Sequence, residues 1–392
     1  MGNKIPYDQG LIAVVLALVG FGLIMVFSTS TVVSGELYGS QSWIFTRQLV
    51  LVIVGLLALM VTMKIDYHFY RRPEVVYCAL LGSGALLVYI LFTPISSGVQ
   101  RWIRLGPASF QPSELAKLAV VLFTAFYLVT RQKQFHSFWR GLVPYLVVVG
   151  PVILLVLAEP DLGTAASIAL SASLLLFLGG LRYRYLVGLI LMALPALYFL
   201  VVRVPYRLNR ILAFVDPEKD PYGIGYQIRQ SLIAVGSGGW NGLGYAQGKQ
   251  KLFFLPEPHT DFIFAVVGEE LGFLGCVALI VLFSLLFWRG ARIAMRADTP
   301  FGTYLGLGIV CMIVFQAFIN MSMVTSLLPT KGLPLPFVSV GGSSMIITMA
   351  AVGILLNISQ QGSGWVTPSS NSNDGSFFGS SDEDGGRYSR GV

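Results

Sequence analysis

The sequence predicts an all-α, polytopic membrane protein of about ten transmembrane helices, with one long extracytoplasmic loop between helices 7 and 8. Three observations lead there. The 392 residues are 55% hydrophobic and only 11% charged, where a soluble domain carries about 25% charged residues. The mean hydropathy is +0.73. Apolar runs near 20 residues long, the length that crosses a hydrocarbon core about 30 Å thick, recur along the chain, and the loops between them alternate between rich and poor in Lys and Arg.

The runs place helices at 11–27, 45–63, 75–92, 114–130, 143–158, 164–180, 185–202, 262–288, 303–323 and 340–358. The first follows Lys4 and ends in VFSTS, which resembles a signal peptide; the many later spans favour an uncleaved first helix. Pro195 lies inside the seventh run, which membrane helices tolerate when neighbours re-satisfy the backbone. Basic residues Lys4, Lys64, Arg71, Arg72, Arg131, Lys133, Arg140, Arg182, Arg184, Arg289, Arg292 and Arg296 fall on one set of alternate loops, with Arg387 and Arg390 in the tail. The other short loops hold Arg101, Arg104 and Lys331. Basic residues favour the cytoplasm, so both termini are expected inside and the long loop outside. Residues 1–360 read as one membrane domain. The Ser-, Gly- and Asp-rich tail, 361–392, has no apolar period and is expected to be a disordered cytoplasmic segment.

Composition also excludes some readings. The net charge is +7, but its basic residues form no clustered patch of the kind nucleic acid requires. Cys78, Cys276 and Cys311 lie inside apolar runs, without a disulfide framework or a CxxC pair. The three histidines lack zinc-type spacing.

The 203–261 loop is too long for a plain connection. Ile224, Ile228, Leu232 and Val235 recur at helical spacing, which predicts a short amphipathic surface helix followed by glycine-rich turns. Arg203, Arg207, Arg210, Arg229, Lys249 and Lys251 are interleaved with Tyr206, Tyr226, Trp240, Tyr245, Phe253 and Phe254, and aromatics favour the headgroup level.

Candidate chemistry concentrates in LPEPHTDFIFAVVGEELGFLG, residues 255–275. Asp261 stands where the loop re-enters the membrane, behind Pro256 and Pro258 and beside His259. Two readings of Asp261 stay open: a helix cap, or a desolvated carboxylate able to take a proton from a hydroxyl. Glu269 and Glu270 lie deeper, where ionisable groups are either functional or paired with a buried cation. Glu114 and Lys117 are three apart at the start of the fourth span, a spacing that suits a structural ion pair. Arg101, Arg104 and Lys331 either snorkel or bind an anionic headgroup, for which arginine donates paired hydrogen bonds. In EPDLGT, residues 159–164, a helix cap is expected, with Gly163 allowing close approach. The proline- and glycine-rich 328–344 loop holds no phosphate-cradling motif.

Five stretches together resemble the SEDS family (shape, elongation, division and sporulation): RWIRLGPASFQPSELAKLA, EPDLGT, GYQIRQSLIAVGSGGWNGLGYAQGKQK, the 255–275 stretch and LPTKGLPLPFVSVGGSSM, in family order over about residues 8 to 358. PTKG and GKQK are most similar to the family's division branch. Glu159, where many members have Gln, and the acidic tail depart from the pattern. The resemblance implies a peptidoglycan glycosyltransferase in the bacterial cytoplasmic membrane, acting on its outer face. It would join an acceptor lipid II to a donor on undecaprenyl pyrophosphate, either a glycan strand or another lipid II, in one inverting displacement. Asp261 is implied as the general base, and Arg101, Lys331 and Arg104 as stabilisers of the leaving pyrophosphate, with Lys249 and His259 as further substrate contacts. The implied partners are a class B penicillin-binding protein and other division proteins. A divalent cation, Mg or Mn, could assist, although the sequence shows no ligand cluster for one. A lipid II flippase, the role of the family's elongation or sporulation branches, and a non-catalytic division scaffold are the rival readings.

Overall fold

The computed structural model describes residues 7–93, 101–105, 108–134, 137–220, 223–330 and 332–361. Lys331 and the expected tail beyond its first residue, Gln361, therefore lie outside the described residues. In order, the helices are α1 (Gln9–Tyr38), α2 (Trp43–Lys64), α3 (Pro73–Phe92), α4 (Pro112–Thr130), α5 (Val143–Ala158), α6 (Leu162–Leu178), α7 (Tyr183–Val202), α8 (Pro205–Val215), α9 (Ile224–Ser237), α10 (Ile263–Met295), α11 (Pro300–Val324) and α12 (Gly342–Gln361). Each of the ten predicted helices overlaps one of these. Among the described residues, eight stretches are long and apolar enough to cross a membrane, while Leu162–Leu178 and Tyr183–Pro195 are shorter apolar helices.

Local chemistry sets the ends. Asp8 caps α1 by accepting from the Leu11 N–H at 2.7 Å, and Thr299 caps α11 through the Gly302 N–H at 3.2 Å. Proline occupies the first turn of α4 and α11, where its missing N–H is harmless. Two expected boundaries move. Helix α1 runs on to Tyr38, and Gly39 stops it in the left-handed region at φ 67°. Helix α10 continues to Met295, because the segment past residue 288 keeps its helical bonding although it becomes basic.

Helices α4, α11 and α12 are buried over most of their length and form the centre. The others turn side chains such as Leu81, Phe92, Val147 and Leu154 outward, as a lipid-facing surface requires. Helices α2 and α12 pack backbone to backbone: a Cβ at Gly353 would stand 2.0 Å from Thr62 Oγ1 and 2.4 Å from the Leu59 carbonyl, the close approach that small residues permit.

The expectation of a single surface helix in the long loop is incomplete. α9 matches it, but α8 precedes it, and a β-hairpin stands between α3 and α4 (β1, Ile103–Leu105; β2, Ala108–Phe110). Helix α10 is broken at Gly272, whose φ of 65° and ψ of −159° are not helical. The break exchanges hydrogen bonds with the turn after α9. Leu243 N donates to Glu269 O (2.9 Å) and Gly244 N to Glu270 O (3.0 Å), while Phe273 N donates to Gly239 O (2.8 Å) and Leu274 N to Trp240 O (3.2 Å). These are the four groups that an unbroken helix would pair internally.

Candidate active site

The α3–α4, α5–α6, α7–α10 and α11–α12 connections meet at one end of the bundle, as their alternation along the chain requires. Asp261 sits among them, largely buried but still reached by solvent. Its carboxylate does not cap α10. The N-cap position is Phe262, with no side-chain cap bond, which removes the capping reading. Burial, followed by the negative charge of Glu257, pushes the Asp261 carboxyl up to about 7 against the pull of Arg101 and Arg210.

The backbone around Asp261 is stitched in place from two sides, α11 and the loop before α12. Asn320 Nδ2 donates to Asp261 O at 2.9 Å and to Leu333 O at 2.6 Å. Ser339 Oγ donates to Thr260 O at 2.6 Å. Val340 N donates to His259 O at 3.0 Å. His259 itself stands 3.8 Å from Glu257 through its ring, and burial lowers its pKa.

Arg101 faces Asp261 across Gly332. A Cβ at Gly332 would lie 3.0 Å from Asp261 Oδ2 and 3.8 Å from Arg101 Nη1, so a methyl group there would crowd the carboxylate. The other arms of Arg101 are fixed: Nε donates to Glu159 O (3.2 Å) and Nη2 to Pro160 O (2.6 Å). The same turn ends in Asp161, which caps α6 as expected, accepting from Thr164 N at 3.0 Å and Thr164 Oγ1 at 2.7 Å. Gln111 Nε2 ties it to the hairpin side at 3.2 Å. Gly163 gives the close approach that was expected: a Cβ there would meet Leu333 at 2.7 Å. From α8, Arg207 Nη2 donates to Leu157 O at 2.8 Å and Arg210 Nη1 to Thr330 O at 3.0 Å.

The remaining candidates divide. In Arg104 the backbone is paired with Ser109 in the hairpin, and its side chain lies outside the described residues, as all of Lys331 does. Glu114 and Lys117 form the expected ion pair at 2.9 Å, fully buried. Lys117 also donates to Gln316 Oε1, and Gln316 Nε2 donates to Pro334 O at 2.9 Å. The pair therefore braces the loop that carries Gly332. Glu269 and Glu270 serve a second cluster, about two helical turns along α10 from Asp261. Glu269 accepts the N–H groups of Lys249 (2.7 Å) and Gln250 (3.1 Å). Glu270 accepts from Lys251 Nζ (2.7 Å), Ser28 Oγ (2.8 Å) and Ala246 N (3.0 Å). Lys249 belongs to this dock and leaves its side chain exposed. Among the described residues, no group of three or more His, Cys, Asp or Glu is arranged to hold a metal ion.

Sequence reasoning missed Asn320, Ser339 and Gln316 as supports of the site. Gln316 and Asn320 had left a signal, since two amides four residues apart in an apolar run share one helix face.

A multi-pass helical membrane protein with a carboxylate and guanidinium site where its loops converge is the class that this fold and site define. The family model described as "Cell cycle protein" (FtsW/RodA/SpoVE) matches residues 9–364. The chain belongs to that family. It is 45% identical over 357 residues to a Geobacter metallireducens protein named "Probable peptidoglycan glycosyltransferase FtsW", covering 90% of this chain and 94% of that one. It is 41% identical over 364 residues to "Stage V sporulation protein E" of Bacillus subtilis, covering 91% and 98%. A solved structure titled "Structural coordination of polymerization and crosslinking by a peptidoglycan synthase complex" superimposes with a TM-score of 0.75 at 30% identity, over 90% of this chain and 97% of that one.

Proposed function

We propose that this protein is a peptidoglycan glycosyltransferase that polymerises lipid II into glycan strands for septal wall synthesis. The observation that carries the reading is the Asp261 carboxylate, free of hydrogen bonds among the described residues and facing a guanidinium, in a chain so similar to proteins named for this activity. Asp261 takes the proton from the acceptor sugar's 4-hydroxyl as that oxygen attacks C1 of the donor. The new C1–O bond forms as the bond from C1 to the pyrophosphate oxygen breaks, with inversion, and undecaprenyl pyrophosphate leaves. A carboxyl group titrating near 7 suits a base that works near neutral pH. The negative charge on the leaving group falls to Arg101 and Arg210, with Lys331 and Arg104 as further cations on the same connections. Both termini lie in the cytoplasm and the site faces outward. A class B penicillin-binding protein cross-links the product, in keeping with the coupling named in the solved complex.

The test is polymerisation of lipid II by purified, reconstituted protein with its cognate transpeptidase. Asp261→Asn should lower the rate by about 10²- to 10⁴-fold, the usual contribution of a positioned base. Full activity in this variant refutes the role. Wild-type protein that makes no polymer yet moves labelled lipid II across vesicles would establish the flippase instead.

A further inference from the structure

Glu159 is the least explained charged side chain at this end of the bundle. It is 1% exposed, and among the described residues neither carboxyl oxygen has a hydrogen-bond partner. A buried ionised carboxylate without partners is strongly disfavoured. Its backbone carbonyl, however, is one of the two that hold Arg101. The charged groups around it are Asp161 on the same turn, Arg101 from the hairpin segment, and Arg207 from α8, which holds the neighbouring Leu157 carbonyl. Burial, then the Asp161 charge, pushes Glu159 up to about 8, opposed by Arg101. At neutral pH it is therefore a neutral acid, and its ionisation above that range places a negative charge beside Arg101, the cation that faces Asp261 across Gly332.

We propose that Glu159 is a positioning residue that sets how much positive charge Arg101 presents to the anionic group of the substrate. This rests on the reading of Arg101 as a pyrophosphate-facing cation. Protonated, Glu159 leaves the Nη1 arm of Arg101 free to attract an anion. Ionised, it neutralises that arm and raises the pKa of Asp261 further, so anion binding weakens on the alkaline side.

The test uses full-length protein in nanodiscs and farnesyl pyrophosphate as a short-chain probe, with affinity measured at pH 6.5 and pH 9. The probe's own ionisation is common to all variants, so the comparison is between wild type and Glu159→Gln, which mimics the neutral acid. Between these pH values the wild type should lose affinity relative to E159Q by on the order of tenfold, the scale of one unit charge acting across about 10 Å at an effective dielectric near 20. Parallel pH dependences, or no binding by either protein, overturn the proposal. Thermal unfolding supplies a readout independent of ligand. Because the folded pKa lies above the ordinary carboxyl value, the wild type should lose stability relative to E159Q as pH rises from about 4.5 to 8, with no gap below. A constant gap across that range also overturns the proposal. Failure of the polymerase reading would show separately, as polymerisation that survives loss of Asp261.

Discussion

Gly242→Ala should prise the 239–244 turn out of the break in α10. Gly242 has φ 79°, and a Cβ there would stand 2.1 Å from the Glu270 carbonyl oxygen. Alanine in the left-handed region is disfavoured by about 1–2 kcal/mol. The clash falls on backbone, which cannot swing aside, so the four exchanged hydrogen bonds give way together. At about 1 kcal/mol net each, their loss brings the total to roughly 5 kcal/mol of local stability, or on the order of 10³- to 10⁴-fold in the opening equilibrium. Hydrogen–deuterium exchange reads this directly, because the Phe273 and Leu274 N–H groups donate to Gly239 O and Trp240 O. Their exchange should accelerate by that factor, while that of α12 stays slow. Gly236→Ala is the control, since a Cβ at that helical glycine meets nothing within 4 Å. Unchanged exchange at Phe273 and Leu274 in G242A refutes the account of the break.

Two further outcomes follow from the charges. Glu257 is the stronger of two negative neighbours, with Asp161, that raise the pKa of Asp261, so Glu257→Gln should move the acidic limb of the polymerisation pH profile to lower pH; an unmoved or upward-shifted limb contradicts the assignment. Lys251→Met leaves Glu270 buried with its cation removed and should destabilise the protein by about 3–5 kcal/mol in detergent unfolding, part of which Glu270→Gln in the same chain should restore. A loss below 1 kcal/mol would mean that the pair is not holding the 246–251 segment.

Much of this molecule was legible in its sequence because lipid imposes a simple rule on it. A helix in hydrocarbon must be apolar for about 20 residues, and ten such runs could be counted. The Glu114–Lys117 spacing and the Asp161 cap were readable for a related reason: both are local, set within one helical turn. What escaped was built from distant parts. Nothing near Asn320 in the sequence announces that it holds residues 261 and 333 together. The pairing of β1 with β2 was missed because three-residue strands carry too little alternation to register. Helix α8 was missed although Leu208, Ile211, Leu212 and Val215 fall on one face, since its charges read as loop. The capping reading of Asp261 could be discarded only once the helix start was seen to lie at Ile263.

The break at Gly272 also bears on how the chain enters the membrane during synthesis. A helix with four unpaired backbone groups would meet several kcal/mol of resistance for each group in hydrocarbon. Here the groups that pair with them lie in residues 239–244, upstream of the helix. They have therefore left the ribosome before the break is made, and a partner about 30 residues away is found quickly. The order of translation thus delivers the plug ahead of the gap, and α10 can be laid down already broken, with no later rearrangement inside the bilayer.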